Sequence, residues 1–312
     1  LAAFNSILIR NTTHSFERSH LKYSEYCSLP ETFRNLYTAS SLENDLTSSL
    51  PLHVIESKYR KARGLPFGYG EDFLKLLDDC SCTENYKNYL RKMIREVWSL
   101  QWIGDQIPET VEHSQRHSKR LMEFTVNLIN TIGEENFLNG IPKQLRNEFY
   151  FVLAIAMNVH DLGHTKLTYE LGDGRILPLD SLPCVVRDLH HELSYQMLED
   201  DDRFRLFDDK QNSFDTDSCN KNTWDNIKTA VKLVTRYHRE YMPITGKPGK
   251  LKDIVRMLSM EPEPLDKVVA ASFADENWQK LTIMAARWLK FIDGTDVQSD
   301  RTVEPNYFKT RV

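Results

Sequence analysis

The stretch that decides the fold is Phe149-Tyr-Phe-Val-Leu-Ala-Ile-Ala-Met-Asn-Val159-His160-Asp161-Leu162-Gly163-His164. From Phe149 to Val159 it is apolar almost without interruption, which reads as the end of a buried helix running from about Lys143 to Val159. A membrane span needs roughly 18–20 such residues, so this run is too short to be one. It leads directly into a histidine and an aspartate. Imidazole nitrogen and carboxylate oxygen are donors for iron, manganese, zinc or magnesium, so His160-Asp161 at a buried helix end is a candidate ligand pair. Such a dipeptide also occurs by chance, and its meaning depends on what surrounds it.

Working outward, four further helices carry inward stripes of the same kind. The spacing predicts a helix over 109–132 with His113, His117, Leu121, Phe124 and Leu128 on one face. A second, over 185–198, aligns Val186, His190, Leu193 and Met197. A third, over 223–237, aligns Trp224, Ile227, Val231, Val234 and His238. The last, over 276–292, aligns Trp278, Leu281, Ala285, Trp288 and Ile292, with Asp293 just past them. Upstream, 71–79 and 84–102 also read as helices. Polar or Pro/Gly-rich stretches at 166–184, 199–222 and 243–264 read as loops. No segment carries a strand pattern, so the fold class is all-α: a helical bundle with an N-terminal helical and irregular extension. The expected division is an arm and linker over 1–70, a helical extension over 71–108, and a metal-binding helical domain over 109–312. The linker holds a basic cluster, Lys58, Arg60, Lys61 and Arg63.

The 312-residue chain carries a formal net charge of −5, without the basic bias of a non-specific nucleic-acid binder, and no duplex nucleic acid is expected as a partner. A phosphate-bearing substrate would need local positive charge, from a metal or a few Arg and Lys residues. No apolar run approaches membrane length, so no membrane partner is expected. The five cysteines, Cys27, Cys80, Cys82, Cys184 and Cys219, fit no zinc spacing and read as free thiols of a reducing compartment, which with the lack of a secretory signal implies a cytoplasmic protein. The opening Leu1 and the end at Arg311-Val312 fit a processed or truncated piece of a longer protein. No GxSxG elbow, P-loop or Cys-His arrangement offers a nucleophile.

His113, His160, Asp161, His190, His238 and Asp293 would all point into one bundle interior. Burying several titratable groups together is costly unless something compensates, and a metal does so by replacing protons and using the lone pairs. His190 and His191 compete for one position, with His190 preferred because it lies on the apolar face of its helix.

The motifs His113-Ser-Gln-Arg116, Asn158-Val-His160-Asp161-Leu-Gly163-His164, His190-His-Glu-Leu-Ser194, Tyr237-His238 and Ile292-Asp293-Gly-Thr-Asp296 follow one another in order. Over roughly residues 109–301 this order resembles the HD-domain metal-dependent phosphohydrolase superfamily, in its binuclear branch. The resemblance implies two divalent metal ions (Mn, Fe, Zn, Co or Mg). His113, His160, Asp161 and Asp293 would hold the first, and Asp161 would bridge to a second completed by His190 and His238. It implies a metal-activated hydroxide attacking a phosphoester of a nucleotide or cyclic (di)nucleotide, with Asp161 and His164 in catalysis. Arg116, His117, Lys166, His191 and Asp296 are the expected substrate contacts, and Arg120 could also meet an anion. Some members carry a phosphate-binding lysine where this chain has His164, so that contact does not carry over. The chain lacks a GYP motif, and Thr-Lys-Leu-Thr follows His164, so neither cyclic-di-GMP nor triphosphohydrolase specificity is implied. The same six ligands also serve HD-type di-iron oxygenases, and a metal-binding regulatory or scaffold module is a further alternative. A homodimer is compatible with all of these.

Overall fold

The apolar run is the central helix of the molecule. The computed structural model describes residues 69–79, 81–103, 115–166, 168–170, 176–178, 183–200, 221–246 and 262–296. Its elements are α1 (Glu71–Leu74), α2 (Ser81–Ile103), α3 (Gln115–Ile132), α4 (Glu134–Phe137), α5 (Arg146–Val159), β1 (Thr168–Glu170), β2 (Ile176–Pro178), α6 (Pro183–Asp200), α7 (Lys221–Arg236), α8 (Leu265–Ser272) and α9 (Glu276–Thr295). Short 3-10 turns at Lys143–Leu145 and Leu162–Thr165 precede and follow α5. Residues 1–68 of the arm and linker expected over 1–70, with the basic cluster, lie outside the described residues.

Every residue of α5 from Phe149 to Val159 is buried. The helix can be apolar all round because α2, α3, α7 and α9 pack around it. Each fully buried Phe, Leu or Ile side chain contributes about 1.5–3 kcal/mol, so this one run supplies a large share of the core. Phe151 stacks on Tyr86 of α2 with centroids 4.3 Å apart, and Phe137 of α4 stacks on Trp288 of α9 at 4.4 Å. Trp224 and Trp278 are buried and Trp288 packs against the core, so the three tryptophans serve packing. At its N-terminal end α5 is fastened by Arg146, which bonds Asp78 at 2.9 Å and Glu134 at 2.6 Å. Around its C-terminal end, helix α6 packs against both the turn after α5 and α7, and α9 runs beside α5 and α7.

The helices α5, α6, α7 and α9 match their expected spans to within a few residues. Three local differences have physical reasons. The expected helix over 71–79 is helical only to Leu74, where Leu76 and Leu77 close 3-10-type bonds to Phe73 and Leu74. Where the sequence predicts only loop over 166–184, β1 and β2 form an antiparallel ribbon with Tyr169 opposite Leu177. Strands of three residues are too short to display an alternating pattern. Helix α8, which no periodicity announces, is eight residues long and starts directly after Pro264, whose fixed φ suits a helix entry. No helix among the described residues is long and apolar enough to cross a membrane.

Candidate metal centre

Helix α5 stops at Val159, and His160, capping its C-terminal end, still donates its backbone N–H to the Ala156 carbonyl. Asp161 then leaves the helix and opens the 3-10 turn Leu162–Thr165. Gly163 lies so close to α6 that a Cβ there would stand 2.0 Å from the carbonyl oxygen of His190. Any side chain would push the turn off the helix. Ser194 locks the same contact: its Oγ donates to the His160 carbonyl at 2.6 Å and accepts from Gly163 N–H at 2.8 Å. The turn carrying His160, Asp161 and His164 is thereby fixed to the helix carrying His190.

The two oxygens of Asp161 face two sets of donors. Oδ2 lies 3.1 Å from His160 Nε2 and 3.6 Å from His117 Nε2. Those two nitrogens are 3.3 Å apart, and Asp293 Oδ1 stands 3.1 Å from His117 and 3.6 Å from His160. On the other side, Oδ1 lies 3.4 Å from His190 Nε2 and 4.0 Å from the Nε2 atoms of His164 and His238. His190 and His238 approach each other through Nε2 at 3.0 Å. Three overlapping groups each bring one donor atom per residue within 4.8 Å: His117, His160 and Asp161; His160, His238 and Asp293; Asp161, His164 and His190. All these side chains are buried except that of Asp293, which is 25% exposed.

The hydrogen bonds behind the rings decide what they present. His190 Nδ1 lies 2.7 Å from the carbonyl of Arg187, and His238 Nδ1 lies 2.7 Å from the carbonyl of Thr235. A carbonyl only accepts, so each Nδ1 carries the hydrogen and donates it. Burial, reinforced by His164, holds His190 well below the usual imidazole range, and burial with His160 lowers His238 to about 4. Both rings are therefore neutral at physiological pH, and their Nε2 lone pairs face each other across 3.0 Å. Two lone pairs so placed repel unless a cation receives them, and this donor arrangement fits a metal. His117 is set the same way by Asp296, whose Oδ2 accepts from its Nδ1 at 2.6 Å.

His160 differs. Burial opposes its charge, but Asp161 and Asp293 outweigh that and raise it to about 10. Burial alone would raise Asp293, yet its close contacts with the imidazoles of His117 and His160 hold it well below the ordinary carboxylate range. A proton on His160 thus balances two carboxylates where a divalent ion would do the same. Its Nδ1 is buried without a hydrogen-bond partner.

Of the residues expected as ligands, His160, Asp161, His190, His238 and Asp293 come together. His113 lies outside the described residues. His117, expected to meet substrate, instead turns Nε2 into the cluster beside His160 and Asp293. The two histidines are four residues apart on one stripe, so periodicity places both inward and says nothing about which reaches the centre. Asp296, also expected at the substrate, is buried behind His117 and is held by Arg120 Nε at 3.0 and 3.1 Å through its two oxygens. His191 is buried against Tyr241, whose hydroxyl lies 3.0 Å from Nε2, while His190 enters the cluster. Lys166 donates to Gln196 at 2.9 Å. Arg116 is half-buried at the start of α3. Sequence reasoning assigns no role to the Ser194 clamp, because a serine on a helix carries no signal of what it bridges.

The family model HD-CE fits residues 107–302, a span that takes in every residue of the cluster. No curated protein and no solved structure matches the chain.

Proposed function

The chain belongs to the HD-CE family, and from that membership and the buried His/Asp cluster we propose that it is a metal-dependent phosphohydrolase acting on a nucleotide or cyclic (di)nucleotide. The observation that carries the reading is Asp161, which offers one oxygen to His117 and His160 and the other to His190 and His238. One carboxylate shared in this way suits two divalent ions about 3.5–4 Å apart. His117, His160, Asp161 and Asp293 would hold the first, and Asp161, His190 and His238 the second. Bound there, such ions supply a water of lowered pKa and positive charge for phosphate oxygens.

The chain's own residues do the rest. Asp161 keeps the two positions at a common separation, because its carboxylate is anchored on the turn that Gly163 and Ser194 press against α6. Arg187, Thr235 and Asp296 hold three imidazoles with Nε2 directed inward, which orients them in advance as donors. The rings are buried and Asp293 is the most exposed member of the cluster, so substrate would approach beside it. In a chain of net charge −5, local cations are what would draw in a phosphoester.

The test is metal content of the purified protein by mass spectrometry, before and after incubation with Mn, Fe, Zn or Co, followed by phosphate release from linear and cyclic nucleotides. About two ions per chain and hydrolysis that requires them is the expected result. Metal without turnover of any phosphoester would leave a regulatory binding module, and iron with oxygen consumption would move the reading to an oxygenase.

A further inference from the structure

We infer that His164 is a ligand of the second metal position, so that the two ends of the centre carry different donor sets and select different ions. The inference rests on the proposed metal centre and extends it.

Its basis is the local geometry of Asp161-Leu162-Gly163-His164. The turn is 3-10 rather than α, closed by a bond from His164 N–H to the Asp161 carbonyl at 3.0 Å. In a 3-10 turn, residues i and i+3 eclipse, so the side chain of His164 rises over that of Asp161. Had α5 continued as an α-helix, the same residue would have been offset around the axis. The result is that His164 Nε2 stands 4.0 Å from Asp161 Oδ1, the oxygen facing His190, and His164 groups with Asp161 and His190 within 4.8 Å. Its ring lies against that of His190 with centroids 4.4 Å apart and an interplanar angle of 23°, and it is buried. His164 stands beside Asp161 Oδ1 and the ring of His190.

The consequence is asymmetry. The first position has two imidazoles, His117 and His160, and two carboxylates, Asp161 and Asp293. With His164 included, the second would have three imidazoles, His164, His190 and His238, each within 4.0 Å of the one carboxylate oxygen Asp161 Oδ1. Imidazole suits zinc, cobalt and iron, while carboxylate suits manganese and magnesium. Cobalt or zinc should therefore fill the nitrogen-rich position first, and manganese should compete only for the other.

The experiment uses the full chain, stripped of metal and titrated with Co2+ and then Mn2+ by calorimetry and mass spectrometry, beside His164→Ala and His164→Gln. The wild type should take two Co2+, the first more tightly than the second. Each variant should keep one ion and lose affinity for the other by about 10–100-fold or more. As a readout independent of any variant's folding, X-ray absorption of the wild type loaded with one equivalent of Co2+ should count three imidazoles. A wild type that binds two ions, with variants that retain both at unchanged affinity or only two imidazoles at the first-filled position, overturns the role of His164 and leaves the metal centre standing. A wild type that binds no ion overturns both.

Discussion

His117 Nδ1 lies 2.6 Å from Asp296 Oδ2, and Arg120 holds the same carboxylate through both oxygens. The chain Arg120–Asp296–His117 joins the residue that ends α9 to the first turn of α3 and fixes which nitrogen of His117 faces the cluster. Replacing Asp296 with Asn keeps the shape, removes the charge, and lets the amide present either face to Nδ1. Metal affinity at the His117 end should drop by about 10–100-fold, with two-ion stoichiometry recovered at high metal concentration. Calorimetric titration of the metal-free protein measures this; an unchanged affinity would reduce Asp296 to a packing residue.

Asp161 is shared by both donor sets, so its loss should not behave like the loss of one imidazole. Asp161→Asn, nearly isosteric, is expected to abolish binding of both ions and all hydrolysis while far-ultraviolet circular dichroism stays that of a helical protein. His238→Ala should cost mainly the second ion. Metal counts per chain for the two variants separate a bridging carboxylate from an ordinary ligand.

The protonation pattern sets two pH dependences of opposite origin. His160, raised to about 10 in the ion-free protein, carries a proton at neutral pH that a metal must displace. Affinity for the first ion should therefore rise with pH, by up to about tenfold per unit below that value, with release of a proton visible as buffer-dependent heat. His190, His191 and His238 are lowered, chiefly by burial, and stay neutral in the folded chain. Unfolded, each binds a proton below about 6.5, so the unfolded state takes up more protons there and the ion-free fold loses stability as pH falls through 6.5 toward 4. Thermal melts of the ion-free protein between pH 8 and 5 should show Tm falling on the acid side.

Gly163 is needed because of what it touches. An alanine methyl would sit 2.0 Å from the His190 carbonyl and 2.8 Å from Leu193 Cβ, both on the rigid helix α6. Gly163→Ala should destabilise the fold by about 1–3 kcal/mol or more and move the turn away from α6. Because that turn carries Asp161, weaker metal binding should accompany the loss. Denaturant unfolding with a metal titration checks both.

Much of the site is legible in the sequence. The apolar run into His160-Asp161 announces a buried helix that ends in two ligands, because helix burial and adjacency are local properties. His190, His238 and Asp293 are reachable because each continues or just passes a regular apolar stripe, and the stripe says which way a side chain points. Periodicity gives direction but not depth. For that reason it cannot choose between His113 and His117, which share a stripe.

What the sequence by itself determined is the all-α class, the inward faces of the helices other than α3, whose expected stripe residue Phe124 is exposed, and the residue types that gather at their ends. Each of those follows from contacts within one helix. What only the tertiary structure decided is which atoms meet. Asp296 backs His117 across 179 positions, Ser194 ties the His160 carbonyl to Gly163, and the two oxygens of Asp161 divide the ligands between them. Those pairings depend on the docking of α3, α6, α7 and α9 around the end of α5. That docking is set by the packing of whole helix faces, which no single window of sequence contains.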